Sequence, residues 1–176
     1  MTVPMIRPRR PEDVPALAEV LTAQRDSSRY PMRWPLPYPT ERFVARDTEL
    51  AAWAATVGGA PVGHVAALSV RPDEHGVLAS EAQAWVAGSD RPPEQLGVLS
   101  TLFTAVQHRG TGLGRQLHDT AVAAIRAQDR TPCLDVVPEH HPAVDVYRHL
   151  GWRTVGEVWP GWLPDGAGPV LAMVLD

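Results

Sequence analysis

Residues 96–117 read LGVLSTLFTAVQHRGTGLGRQL. From Leu96 to Val106 the side chains are almost all apolar or β-branched, the pattern of a strand covered on both faces and therefore central in its sheet. The run ends in Arg109-Gly110-Thr111-Gly112-Leu113-Gly114, with glycine at alternate positions. Beyond it Leu113, Leu117, Ala121, Ala124 and Ile125 recur at helical spacing, while Arg115, Gln116, Asp119 and Arg126 take the other face. Glycines let a backbone approach a ligand closely and turn several amides toward one anion. The first turn of the following helix adds unpaired N–H donors and the positive end of its dipole. Strand, loop and helix together suit a diphosphate, with Arg109 and Arg115 placed to assist by charge-assisted bonds. The dinucleotide fingerprint G-x-G-x-x-G fails in both registers, because its last position falls on Arg115 or on Leu117. Taken alone, the glycine pattern reads equally well as a tight strand-to-helix turn.

Downstream, Cys133 to Val137 reads as a strand. Pro142 follows at a position favourable for a first helical residue, ahead of Ala143, Val144, Tyr147 and Leu150, and Gly151 supplies a helix stop. Trp152 to Val158 and Pro169 to Leu175 close the sheet. Upstream, residues 3–7 form a short strand candidate, and Pro11 opens a helix carrying Val14, Leu17, Ala18 and Leu21 on one face. The proline-rich run from Tyr30 to Thr40 reads as an ordered loop. Leu50–Val57 and Pro61–Val70 are strands joined by Gly58-Gly59, a dipeptide suited to a hairpin turn. Residues 71–95 read as an insertion with a short helix around Ser80 to Ala87. The sum is one α/β domain over residues 1–176, a mixed sheet with helices on both faces.

The chain has 176 residues, 44% hydrophobic and 20% charged, with a formal net charge of −4. No apolar stretch approaches membrane-spanning length and no secretory h-region opens the chain, so the expectation is a soluble, cytoplasmic protein. The acidic balance and scattered arginines argue against nucleic acid as a partner. All 16 basic residues counted are arginine, which removes a Walker phosphate loop and a Schiff-base lysine. The single cysteine, Cys133, reads as a buried strand residue rather than a nucleophile. His140-His141 has no third ligand at a metal-binding spacing and H-E-x-x-H is absent, so no metal site is expected.

The stretch Arg109-Gly110-Thr111-Gly112-Leu113-Gly114 resembles the R/Q-x-x-G-x-G/A pattern of the GNAT superfamily of N-acetyltransferases. A second patch agrees: Leu134-Asp135-Val136-Val137, then Ala143, Tyr147, Leu150, Gly151 and Trp152, is similar to the family's later strand and its N-x-x-A-x-x-x-Y-x-x-x-G-F helix. The resemblance covers residues 50 to 158 well and implies a mixed, mostly antiparallel sheet of about six to seven strands. It further implies acetyl-CoA as cosubstrate and an amine as acceptor. Backbone amides near Phe103, Thr104 and Val106 would hold the acetyl carbonyl and pantetheine arm; Arg109, Gly110, Thr111, Gly112, Leu113, Gly114 and Arg115 would hold the diphosphate.

Tyr147 matches the family's general-acid position, although spacing alone fits a core-facing tyrosine. The sequence departs from the family at Val98, where relatives often carry a glutamate base, and at His140, where asparagine is usual. His140 could touch the cofactor, cap the helix or sit on the surface. Proton removal could run through water to Glu94, Glu81 or a histidine. Trp34 and Tyr38 either wall the acceptor pocket or pack beneath a loop. The missing carboxylate keeps a non-catalytic acyl-CoA-binding module as the alternative function. Exposed aromatics or a spare strand edge could support a homodimer, which the sequence leaves open.

Overall fold

The structure is a computed structural model describing residues 3–138 and 142–176. In chain order the elements are β1 (Met5–Pro8), α1 (Val14–Ser28), α2 (Thr40–Val44), β2 (Glu49–Val57), β3 (Ala60–Ser69), α3 (Ser80–Ser89), β4 (Leu96–Thr104), α4 (Leu113–Ala127), β5 (Thr131–Val136), α5 (Ala143–His149), β6 (Arg153–Val158) and β7 (Val170–Val174). The strands form one seven-stranded sheet in the order β1-β2-β3-β4-β5-β7-β6, with β4 in the middle. Pairs β1–β2, β2–β3, β5–β7 and β6–β7 are antiparallel and β4–β5 is parallel, the mixed, mostly antiparallel arrangement anticipated. Two compact units divide the chain, residues 1–68 with 99–124 and residues 69–98 with 125–176.

In the first unit, β2 and β3 turn at Gly58 and Gly59, whose φ of 59° and 85° meet the need of a two-residue hairpin for positive φ at both positions. Consecutive residues of β3 show how the helices are distributed. A Cβ on Gly63 would meet Leu117 of α4 at 3.2 Å, whereas His64 packs on Phe103, which belongs to a core with Leu17, Ala18, Leu21, Phe43, Val44 and Ala54. Neighbouring strand residues point to opposite faces, so α1 and α4 cover opposite faces of this part of the sheet. Leu17, Leu21 and Val44 are fully enclosed, and truncating such a leucine to alanine removes about 2–5 kcal/mol.

In the second unit, the parallel ladder between β4 and β5 covers Leu96↔Thr131, Gly97↔Pro132 and Val98↔Cys133. Cys133 is wholly buried, its thiol donating to the Gly97 carbonyl at 3.5 Å, and burial pushes that thiol well above its ordinary pKa. It is a packed strand residue, inert as a nucleophile. Residues 80–89 form α3, and Trp85 on it is buried with its indole N–H donating to the Leu134 carbonyl at 2.9 Å. Among the described residues no helix is long and apolar enough to cross a membrane.

Candidate active site

The glycine loop joins β4 to α4 through a single 3-10 turn at Val106–His108. Gly110 and Gly112 take φ of 73° and 83°, a region in which L side chains are strained, and a Cβ on either, or on Gly114, would meet nothing within 4 Å. The loop is thus both conformationally committed to glycine and open above its backbone, which is the room a bulky anion needs. Thr111 does not face that space freely; its hydroxyl donates to the His108 carbonyl at 2.7 Å and braces the turn. The first helical hydrogen bond runs from the Gln116 amide to the Gly112 carbonyl at 3.1 Å, so the amides of Leu113, Gly114 and Arg115 precede the intrahelical ladder. Leu113, Leu117, Ala121 and Ile125 anchor α4 in the interior and hold those amides in place.

The two arginines are differently engaged. Arg109 reaches α1, donating to Ser27 Oγ at 3.0 Å and Gln24 Oε1 at 3.2 Å. Its partners are neutral, so its charge is not cancelled there. Arg115 lies on the exposed face of α4, and its Nε–H is shared between the two Asp119 carboxylate oxygens, at 2.9 and 2.7 Å.

The preceding strand carries a feature the sequence does not announce. Thr101, buried within β4, has φ of 53°, an uncommon backbone state and a true outlier for a β-branched residue. Past this irregularity the Ala105 amide donates to the Val62 carbonyl of β3 at 2.7 Å, and the Phe103 carbonyl lies beside Gly63. Alternation along the strand then sends the amides of Leu102 and Thr104 to the other edge. Val106 follows the strand and is 47% exposed at the start of the loop.

Beneath Thr101 sits a buried polar cluster. His64 is fully enclosed, with Nδ1 2.9 Å from the Thr101 carbonyl and Nε2 3.2 Å from Arg9 Nη1. A guanidinium can only donate, so Nε2 must be the acceptor and Nδ1–H the donor to Thr101. Arg9 is itself clamped by Glu49 in a bidentate pair, at 2.7 Å on both arms, and also donates to the Val44 carbonyl at 2.8 Å. Burial, opposed by the bond to Thr101 and reinforced by the positive charge of Arg9, lowers the imidazole pKa from 6.5 to about 4. His64 is therefore neutral across the physiological range.

Tyr147 lies on α5 in the second unit, half-buried, its ring edge-on to Trp152 with centroids 5.9 Å apart. The helix does not begin at Pro142 but just after it, Pro142 being the cap. At the other end the Trp152 amide donates to the Tyr147 carbonyl and the Gly151 amide to the Arg148 carbonyl, both at 3.0 Å, with Gly151 at φ 92°. This is a Schellman cap, which explains physically why tyrosine, glycine and an aromatic recur at that spacing: the motif ends the helix and seats the tyrosine ring.

Trp34 is half-buried with the Arg25 guanidinium 5.9 Å from its ring centre, while Tyr38 is 39% exposed. Tyr30, not singled out by the sequence, is the aromatic that packs on the core, edge-on to Phe43. Val98 is buried, Glu94 is exposed and Glu81 accepts a bond from Ser80 at 3.2 Å. His140 and His141 lie outside the described residues; among those described, no group of three or more His, Cys, Asp or Glu is arranged to hold a metal ion.

A seven-stranded sheet with a glycine loop feeding a helix after its middle strand is the arrangement that the acetyltransferase resemblance implies. A sequence model of the Acetyltransferase (GNAT) family matches residues 17–152, and the chain belongs to that family. No curated protein matches it in sequence. Among solved structures, Arabidopsis thaliana NAA60 in complex with acetyl-CoA is 20% identical with a TM-score of 0.67, covering 98% of this chain and 97% of that one. A Corynebacterium glutamicum protein described as histone acetyltransferase HPA2 and related acetyltransferase is 24% identical, TM-score 0.65, covering 99% and 96%. The GNAT domain of S. lividans PAT is 20% identical, TM-score 0.65, covering 97% and 89%. At these identities the likeness is one of fold.

Proposed function

We propose that this acetyltransferase moves an acetyl group from acetyl-CoA to a primary amine by direct attack within a ternary complex, residues 1–176 acting as one domain. The observation that carries the reading is the open, positive-φ glycine loop running into the first-turn amides of α4 that precede its intrahelical ladder. Those amides and the helix dipole receive the diphosphate, with Arg109 and Arg115 contributing charge. The parallel ladder with β5 is registered as far as Val98, and β4 beyond it offers backbone amides to the pantetheine arm and the thioester carbonyl. The amine nitrogen attacks that carbonyl carbon, and the oxygen, now negative, is held by a strand amide. The carbon–sulfur bond then breaks and the departing thiolate takes the hydroxyl proton of Tyr147, a phenol being an acid able to donate to a thiolate within hydrogen-bond reach. The ammonium proton leaves to water, since Val98 supplies no base, and water returns a proton to the Tyr147 phenolate. On this reading His140 touches the cofactor, and Trp34 and Tyr38 wall the acceptor side.

The test is to supply acetyl-CoA with a panel of amines, including free amino acids, aminoglycosides and peptides with a free N-terminus, and to follow free thiol. Acetylated amine recovered in equal amount to thiol is expected. Thiol release without acetylated amine, or none across the panel, overturns the proposal. Within an active preparation, Tyr147→Phe should lower kcat by about a hundredfold with little change in acetyl-CoA affinity; an unchanged kcat removes Tyr147 from the acid role.

A further inference from the structure

We propose that His64 is a positioning residue for acetyl transfer: by holding the Thr101 carbonyl it fixes the Leu102 amide of β4 as the donor to the thioester oxygen. The inference rests on the function proposed above and adds residues to it that neither glycine loop nor helix motif contains.

The argument starts from the peptide plane. The C=O of Thr101 and the N–H of Leu102 belong to one rigid trans peptide and point in opposite directions. Whatever fixes the carbonyl fixes the amide. At φ 53° the Thr101 backbone leaves regular strand geometry, and its carbonyl is buried. A buried carbonyl needs a donor, and His64 Nδ1 lies 2.9 Å from this one. The imidazole cannot rotate to another partner without losing Arg9, and Arg9 cannot withdraw without abandoning both Glu49 oxygens and the Val44 carbonyl. Phe103 stacks against the ring at 5.6 Å and closes the pocket. A chain of contacts thus runs from Arg9, just after β1, and Glu49 on β2 through one imidazole on β3 to a single peptide plane on β4. Such a strained backbone persists only where its surroundings over-determine it, and strain of this kind concentrates where a backbone group must be aimed.

The test compares wild-type protein with His64→Leu and His64→Asn. Leucine fills the pocket without a donor; asparagine keeps an N–H at the same bond count from the backbone as Nδ1. With folding checked by circular dichroism, His64→Leu should lower kcat about tenfold or more while acetyl-CoA KM moves less than about threefold, and His64→Asn should recover most of the loss. Equal kcat in all three proteins, or an asparagine variant as poor as the leucine one, overturns the proposal. Imidazole nitrogen NMR on the wild type gives an independent reading even if the leucine variant fails to fold: the proton must reside on Nδ1, and a proton on Nε2 refutes the arrangement. A wild type with no turnover would sink the proposed function, while the NMR result still judges the His64 contact by itself.

Discussion

The glycine loop and the His64 cluster lie on either side of the last residues of β4 and are built on opposite principles. The loop at Arg109–Gly114 is exposed, uses backbone amides, and needs the absence of side chains. The cluster is enclosed and depends on particular side chains in a particular protonation state: a neutral imidazole, a guanidinium and a carboxylate. The difference teaches that binding and geometry are separable in this molecule. Changes to the loop should be felt first in affinity, with a smaller cost in stability, whereas changes to the cluster should be felt first in the folding equilibrium.

The largest effect is expected from Glu49→Ala. It leaves the Arg9 guanidinium, whose side chain is only 12% exposed, without its carboxylate. Removing one partner of a buried pair strands the other charge, and the loss should be about 3 kcal/mol in urea unfolding. A loss under about 1 kcal/mol would mean that water already serves Arg9, and the cluster would then resemble the loop more than the core.

Acid should act on the same cluster. The folded imidazole of His64 titrates near 4, while in the unfolded chain it titrates near 6.5. Between those values the unfolded state binds the extra proton, so stability is complete above pH 6.5 and falls as the pH drops toward 4, by about 3 kcal/mol at most. His118, whose pKa burial also lowers, slopes the same way. The separate contribution of Asp13, held below the usual carboxylate range by its bonds to Arg7, is lost only at lower pH. Unfolding curves at stepped pH for wild type and His64→Leu isolate the His64 part, since the variant should show a flatter slope between 6.5 and 4.

The two regions also differ in how far they could be read in advance. Strand, loop and α4 were legible because local rules decide them: alternate glycines, helical spacing at Leu113, Leu117, Ala121 and Ile125, and a paired dipeptide at Gly58-Gly59. Tyr147, Gly151 and Trp152 were legible for the same reason, since a Schellman cap is local chemistry. The cluster was not. Arg9 just after β1, Glu49 on β2, His64 on β3 and Thr101 on β4 lie far apart in sequence, and nothing in the LSTLF stretch marks Thr101 for a positive φ. The one available signal was a histidine in the otherwise apolar strand Ala60–Ser69, which had to find a partner once buried. The proline loop was also only partly legible: its aromatic content was evident, but that Tyr30 packs on Phe43 while Tyr38 is exposed depends on tertiary placement.

Gly112→Ala is the next test in order of size. At φ 83° an added Cβ meets no atom, so the penalty is conformational alone and should be about 1 kcal/mol in stability. Acetyl-CoA affinity should fall by more than that penalty implies, because the new methyl group projects into the space assigned to the diphosphate. Calorimetry alongside thermal unfolding separates the two, and equal losses in both would argue that the loop is merely a turn.

The smallest effect on folding should come from Arg115→Ala, and its smallness is what makes it informative. Arg115 and Asp119 form an i,i+4 pair on the surface, with side chains 59% and 51% exposed, so breaking it should change stability by less than about 0.5 kcal/mol. In the proposed complex the same guanidinium faces a diphosphate, which carries more charge than Asp119 and competes for it. Acetyl-CoA affinity should therefore drop several-fold at low ionic strength, and the gap between variant and wild type should narrow as salt screens the contact. Asp119→Asn makes the complementary prediction, since releasing Arg115 from its rival should hold or raise affinity. If both substitutions leave binding unchanged at every salt concentration, Arg115 belongs to the helix surface alone, and the diphosphate is held by backbone amides and Arg109.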